Sequence, residues 1–216
     1  NNRQEYANKG AEAARQADVA IVFVQADSGE EYGNVENTRG DRPDLDSWHG
    51  GDSLVKSVAS ANKNTIVIIN APATVNVPWL DQVKGVIFTG FPGAESGNGI
   101  ADVLFGEFNP SGHLPFTWAE MNDYCTKIDT KQGSRPQGTE NKAQYDYSEG
   151  LYVGQRWFNK QNKKPIFPFG FGLTYTSFEY SDLKLSMGSE GLTAEFVVKN
   201  TGDVTGSAVP MMFLTI

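Results

Sequence analysis

The chain has 216 residues, a hydrophobic fraction of 39% and a formal net charge of −8. That length holds one large domain or two smaller ones, and 13 Phe, 8 Tyr and 4 Trp are ample for a packed core. The acidic balance excludes the usual basic footprint of a nucleic-acid or anionic-membrane partner, and no run of about 18 apolar residues is present to span a bilayer.

Cys125 is the single cysteine, so no internal disulfide can form and the redox compartment stays open. The opening residues, Asn1-Asn2-Arg3-Gln4-Glu5, are not a signal peptide, and there is no initiator Met. The sequence opens in a helical pattern and stops inside the apolar run Met211–Ile216, as expected for a piece of a longer polypeptide.

Ala7, Ala11, Ala14 and Ala17 recur at helical spacing, predicting a helix over 4–17. The apolar run Val19–Val24 comes next and reads as a buried parallel strand. A polar stretch, 33–51, predicts a long loop. Leu54, Val55, Val58 and Ala59 make one stripe, predicting a helix over 52–62 with Asp52 or Ser53 as N-cap. Strands are expected at Thr65–Asn70 and Gly85–Thr89. Between them Val77–Leu80 reads as a helical turn led by Pro78. A Gly-rich start leads into a helix over 94–105, with Gly106 as its stop. Leu114–Thr117 reads as a fourth short strand.

Strands alternating with helices predict an α/β fold, a mostly parallel sheet flanked by helices on both faces. Residues 119–150 turn polar and predict a surface loop. Residues 151–175 are rich in aromatics. From 176 the period is two, at Phe178–Tyr180, Leu183–Leu185 and Leu192–Val198, with a turn at Asn200–Asp203. Those residues read as about three strands opening a β-sandwich, too few to close two sheets. The expected division is 1–175 and 176–216.

Chemistry concentrates after the first strand, in Ala26-Asp27-Ser28-Gly29-Glu30-Glu31-Tyr32. In open α/β sheets ligands bind past the carboxyl ends of the strands. Glu30 is a candidate general acid, against the bland reading of a solvated loop carboxylate. Glycoside cleavage needs two carboxyl groups, and no second one stands out. Tyr32, two residues on, suits stacking against the apolar face of a sugar, or ordinary packing. Trp48 is a candidate for the cleft rim or a core plug. Asp41 and Arg42 are expected to bond to backbone and stiffen the loop.

Other motifs fall short. His49 and His113 lack metal-ligand spacing, so no metal is expected. Gly93–Gly99 meets neither phosphate-binding pattern, which argues against a nucleotide-binding protein, and no cofactor is called for. Asp27-Ser28-Gly29 is not a nucleophile elbow.

Taken in order, the motifs Ala-Asp-Val-Ala-Ile-Val-Phe (17–23), Asp-Ser-Gly-Glu (27–30), Gly-Asp-Arg (40–42), Gly-x-Glu-Ser-Gly-Asn (93–98), Ala-Asp-Val-Leu-Phe-Gly (101–106), Asn-Pro-Ser-Gly-x-Leu-Pro-Phe-Thr-Trp (109–118), Ser-Glu-Gly-Leu-Tyr (148–152) and Phe-Pro-Phe-Gly-Phe-Gly-Leu-Thr-Tyr (167–175) accumulate over nearly the whole length. The chain resembles the carboxyl-terminal part of glycoside hydrolase family 3 β-glucosidases of the secreted fungal branch. That resemblance implies an α/β sandwich domain over 1–175, then the first strands of a fibronectin type III-like domain over 176–216. It implies a retaining enzyme acting on terminal β-D-glucosyl residues of β-glucosides or cello-oligosaccharides, and an extracellular location. It maps the acid/base onto Glu30 and an aglycone-side aromatic onto Tyr32. Glu31 stands where the family has Gly. The nucleophilic Asp would come from an N-terminal (β/α)8 barrel that these residues do not contain. The alternative is a non-catalytic carbohydrate-binding or interaction module using Tyr32 and Trp48.

With one of the two required carboxylates missing, the isolated chain is expected to be inactive. An assay of the pure 216-residue chain on an aryl β-glucoside should give no turnover above buffer.

Overall fold

A computed structural model of the protein describes residues 2–28, 34–35, 38–39, 42, 44–124 and 149–214. The chain divides into two compact units, Asn1–Ser96 with Trp118–Ile166, and Gly97–Thr117 with Phe167–Ile216.

In the first unit, helix α1 (Asn2–Arg15) buries Ala7, Ala11 and Ala14 along one row, the i, i+4, i+7 neighbours of a helix face. Small residues let it approach helix α2 (Gly51–Ala61) closely. A Cβ at Gly10 would meet Leu54 Cδ1 at 2.9 Å. α2 buries Val55, Val58 and Ala59, three of the four residues of the expected stripe, with Leu54 half-buried. Asn62 joins the two helix ends. Its side-chain amide donates to the Ala14 and Ala17 carbonyls at 2.9 and 2.7 Å, satisfying acceptors that a helix terminus leaves open.

Strand β1 (Ala20–Gln25) succeeds α1, strands β4 (Thr65–Asn70) and β5 (Gly85–Phe88) come later, and the order β1-β4-β5 is parallel throughout. Two short strands, β2 (Asn34–Val35) and β3 (Thr38–Arg39), pair antiparallel between β1 and α2. β4 is the central strand, and Val67, Ile68 and Ile69 are fully buried. The expectation of two covered faces fails at β1. Ala20, Val22 and Val24 are buried, whereas Ile21 and Phe23 are 42% and 60% exposed. The outward row at the edge strand is left open among the described residues, and an apolar groove runs along that edge between α1 and β1.

One local expectation also changes. The N-cap of α2 is Gly50 in the left-handed region (φ 78°), without a side-chain cap, in place of Asp52 or Ser53. Asp52 instead lies in the first turn, where a carboxylate suits the helix dipole. The turn expected at 77–80 is present, Leu80 N–H donating to Val77 O at 3.0 Å, and a 3-10 turn over Leu80–Gln82 continues it. Further along, helix α4 (Gln155–Lys160) buries Phe158, whose ring meets Tyr124 edge-on at 5.7 Å. Of the expected surface loop 119–150, residues 125–148 lie outside the described residues.

Helix α3 (Ser96–Phe105) leads into the second unit and ends at Gly106, whose φ of +80° is open to glycine. Leu114–Thr117 is not a strand. Leu114 makes two backbone bonds, with Phe171 and Gly170, and the next residue, Pro115, has no N–H to extend a ladder. Strands β6 (Phe178–Gly188) and β7 (Gly191–Asn200) form an antiparallel hairpin. The two segments expected at 178–180 and 183–185 are one strand carrying a bulge between Ser181 and Lys184, where Asp182 has φ 56°. The end therefore holds two long strands in place of three short ones. Asn200 makes the expected turn, its side chain accepting from Gly202 N–H and Thr176 Oγ1.

Burial sets a contrast that urea unfolding can read. Ile68→Ala should cost about 2–5 kcal/mol, the range for a truncated core residue. Phe23→Ala on the open face should cost well under that, within about 1 kcal/mol.

Candidate active-site edge of the parallel sheet

The three parallel strands end together, and backbone bonds extend the ladders past their carboxyl ends. Ala26 N–H donates to Asn70 O at 3.1 Å, and Thr89 N–H donates to Ile69 O at 2.9 Å. Asn70, the polar residue closing an apolar strand, reaches over to the next connection and donates from Nδ2 to Gly90 O at 3.0 Å. The exits of β1 and β5 are thus both fixed to the end of β4. This is the sheet edge where α/β folds place ligands.

Asp27 and Ser28, half-buried, leave this edge at the head of the candidate motif. Glu30, Glu31, Tyr32 and Asp41 lie outside the described residues. Within the excursion Asn34 pairs with Arg39 and Val35 with Thr38. The chain returns at Arg42, and here the expectation of backbone bonding is met. Arg42 N–H donates to Ser28 Oγ at 3.3 Å, and its Nη2 donates to Thr74 O at 2.8 Å. Burial lowers the Arg42 pKa from its ordinary value, with Asp44 opposing that shift.

Trp48 begins a 3-10 turn, Trp48–Gly50, ahead of α2. It is half-buried and meets His49 edge-on, with centroids 6.2 Å apart. It is therefore not a sealed core plug. His49 has φ 58° and Gly50 has φ 78°, a left-handed pair that turns the chain into α2. Behind it, Asp52 Oδ1 accepts from Ser47 Oγ and from Trp79 Nε1, both at 2.9 Å. Among the described residues no group of His, Cys, Asp or Glu could hold a metal ion.

The sequence reading missed the segment 74–76, along which the returning chain runs. Asn76 N–H donates to Leu45 O at 2.7 Å, and Asn76 Nδ2 donates to Asp46 Oδ1 at 2.7 Å. The segment is itself held from behind. Trp118 Nε1 donates to Val75 O at 2.9 Å, Thr74 Oγ1 lies 3.2 Å from Tyr124 OH, and that hydroxyl accepts from Ala119 N–H. Thr74, Val75 and Trp118 are all buried. A polar Asn after an apolar strand was the one available signal, because backbone acceptors leave no mark on a sequence.

Residues 2–175 match the family model of the glycosyl hydrolase family 3 C-terminal domain. The chain belongs to glycosyl hydrolase family 3. Among curated relatives, the probable β-glucosidase L of Aspergillus terreus is 39% identical over 96% of this chain and 30% of its own length. Among solved structures, the β-glucosidase D2-BGL of Chaetomella raphigera aligns with a TM-score of 0.79 at 37% identity, over 92% of this chain and 29% of that one. The β-D-glucoside glucohydrolase of Trichoderma reesei aligns at 0.73 and 42%, over 83% and 24%. This chain therefore corresponds to the C-terminal part of family 3 β-glucosidases and spans less than a third of the length of each of these proteins.

The Asp52 cluster yields a stability test. Asp52→Ala would leave the indole N–H of the fully buried Trp79 without its acceptor. Denaturant unfolding followed by tryptophan fluorescence should show a loss of about 1–3 kcal/mol.

Proposed function

We propose that this chain supplies the acid/base loop of a retaining β-glucosidase, with Glu30 as the proton donor. The observation that carries the reading is positional. The Asp-Ser-Gly-Glu motif lies inside the family match and follows β1 closely in sequence, and its first residues, Asp27 and Ser28, stand at the carboxyl edge of the parallel sheet. Relatives bearing the names β-glucosidase and β-D-glucoside glucohydrolase support a β-glucoside as substrate, and our reading takes this as the terminal β-D-glucosyl units of β-glucosides or cello-oligosaccharides.

In this reading an Asp from a (β/α)8 barrel elsewhere in a longer polypeptide attacks the anomeric carbon. Glu30 protonates the glycosidic oxygen as the bond to the departing group breaks. The resulting glycosyl-enzyme is opened by water, whose proton returns to the Glu30 carboxylate. Tyr32 lines the aglycone side, and Trp48 contributes to substrate binding at the cleft rim. The hairpin of β6 and β7 belongs to a fibronectin type III-like domain over 176–216, downstream of the α/β domain over 1–175, and the enzyme is secreted.

Glu30→Gln in the longest polypeptide expressed from the gene tests this reading. Turnover of cellobiose should fall by about 10²–10⁴-fold, with azide restoring release from an activated aryl glucoside by replacing the water that Glu30 would have activated. Unchanged turnover with weaker sugar binding would instead identify a carbohydrate-binding module.

A further inference from the structure

We propose that Arg42 is the positioning residue of the acid/base loop, clasping its two ends and fixing them to the segment 74–76. This inference rests on the reading of Glu30 as proton donor. Its own support comes from the described ends of the loop.

The excursion from Ser28 to Arg42 begins and ends at one place. Ser28 is on the outgoing stem, at the exit of β1, and its Oγ accepts from the main-chain N–H of Arg42 on the returning stem. The guanidinium then crosses to Thr74, beyond β4 in sequence, and donates to its carbonyl. Directly after Arg42, Leu45 and Asp46 accept from Asn76. The returning stem is therefore held to 74–76 at successive points. The anchor is stiff, because Thr74 and Val75 are buried and held in turn by Tyr124 and Trp118. A small error at the stems would be carried to Glu30, which lies two residues after Ser28 in the sequence. Misplacement of a reacting group by about 1 Å can cost about 10²-fold in rate.

Arginine suits this place. Its planar guanidinium keeps its charge under partial burial and presents several donors in a fixed plane, whereas a lysine offers one compact ammonium on a flexible stem. Nη2 serves Thr74, and Nη1 is buried with no hydrogen-bond partner. A half-buried cation with one satisfied arm is costly for stability alone. That cost is consistent with a residue retained for geometry.

The test compares leaving groups in the longest polypeptide expressed from the gene. A departing 2,4-dinitrophenolate needs no proton, whereas the glucose leaving from cellobiose does. Arg42→Ala should lower kcat/KM for cellobiose by about 10- to 100-fold while changing that for 2,4-dinitrophenyl β-glucoside by less than about threefold. Arg42→Lys should recover part of the loss. Ser28→Ala, which removes the acceptor at the other stem, should give the same leaving-group dependence more weakly and serves if the Arg42 variants do not fold. Equal losses on both substrates, or no loss, in whichever variants fold would overturn the proposal. Glu30→Gln run alongside separates the two claims. If it lacks the leaving-group dependence, the assignment of the acid fails and this proposal falls with it. If it has the dependence and the Arg42 and Ser28 variants do not, only the clasp fails.

Discussion

Strand β4 carries the load on which the site depends. It pairs with β1 on one side and β5 on the other, along parallel ladders that continue beyond its end. Its core residues are fully buried, so its position is set by packing as well as by hydrogen bonds. Asn70 converts that order into fixed loop exits. Its carbonyl holds Ala26 at the start of the candidate motif, and its side chain holds Gly90 after β5. The segment downstream of β4 matters equally. Residues 74–76, with Thr74 and Val75 buried and Asn76 half-buried, form a rail that Trp118 and Tyr124 hold from behind, while Arg42 and Asp46 bond along its front.

A catalytic carboxylate needs this kind of support if it is to serve a pocket completed by another domain. A loop proposed to bear it needs ends that are held at one position. Definition comes from tying the excursion where it leaves and returns, and from the short ladder between Asn34–Val35 and Thr38–Arg39. The open row of β1, with Ile21 and Phe23 exposed, shows a second aspect of the same fold. This edge strand is apolar on both faces while, among the described residues, α1 and α2 leave one face uncovered.

Much of this was legible because the signals are local. Apolar runs bounded by polar residues marked β1, β4 and β5, and alanine or aliphatic spacing marked α1 and α2. Arg42 was legible as a loop stiffener because an Arg within a polar loop has many donors and few reasons to be there. Its partner was not, since Thr74 contributes a carbonyl that any residue would supply. The strand expected at Leu114–Thr117 failed because Pro115 ends the ladder that Leu114 begins. The separate strands at 178–180 and 183–185 were one, because a bulge shifts the period without ending the pairing. The cap of α2 was misplaced because Asp52 was already engaged with Ser47 and Trp79. Family membership came from ordered motifs, which report ancestry where periodicity reports only fold.

The most direct measurement is the separation of the two carboxyl groups in a crystal of the longer polypeptide with a 2-fluoroglucosyl group trapped on its nucleophile. The account predicts the Glu30 carboxyl group about 5–5.5 Å from the nucleophile's carboxyl group, the spacing of a retaining enzyme, with Arg42 still on Thr74. A Glu30 side chain turned away from the trapped sugar, with another acid at that distance, would contradict it.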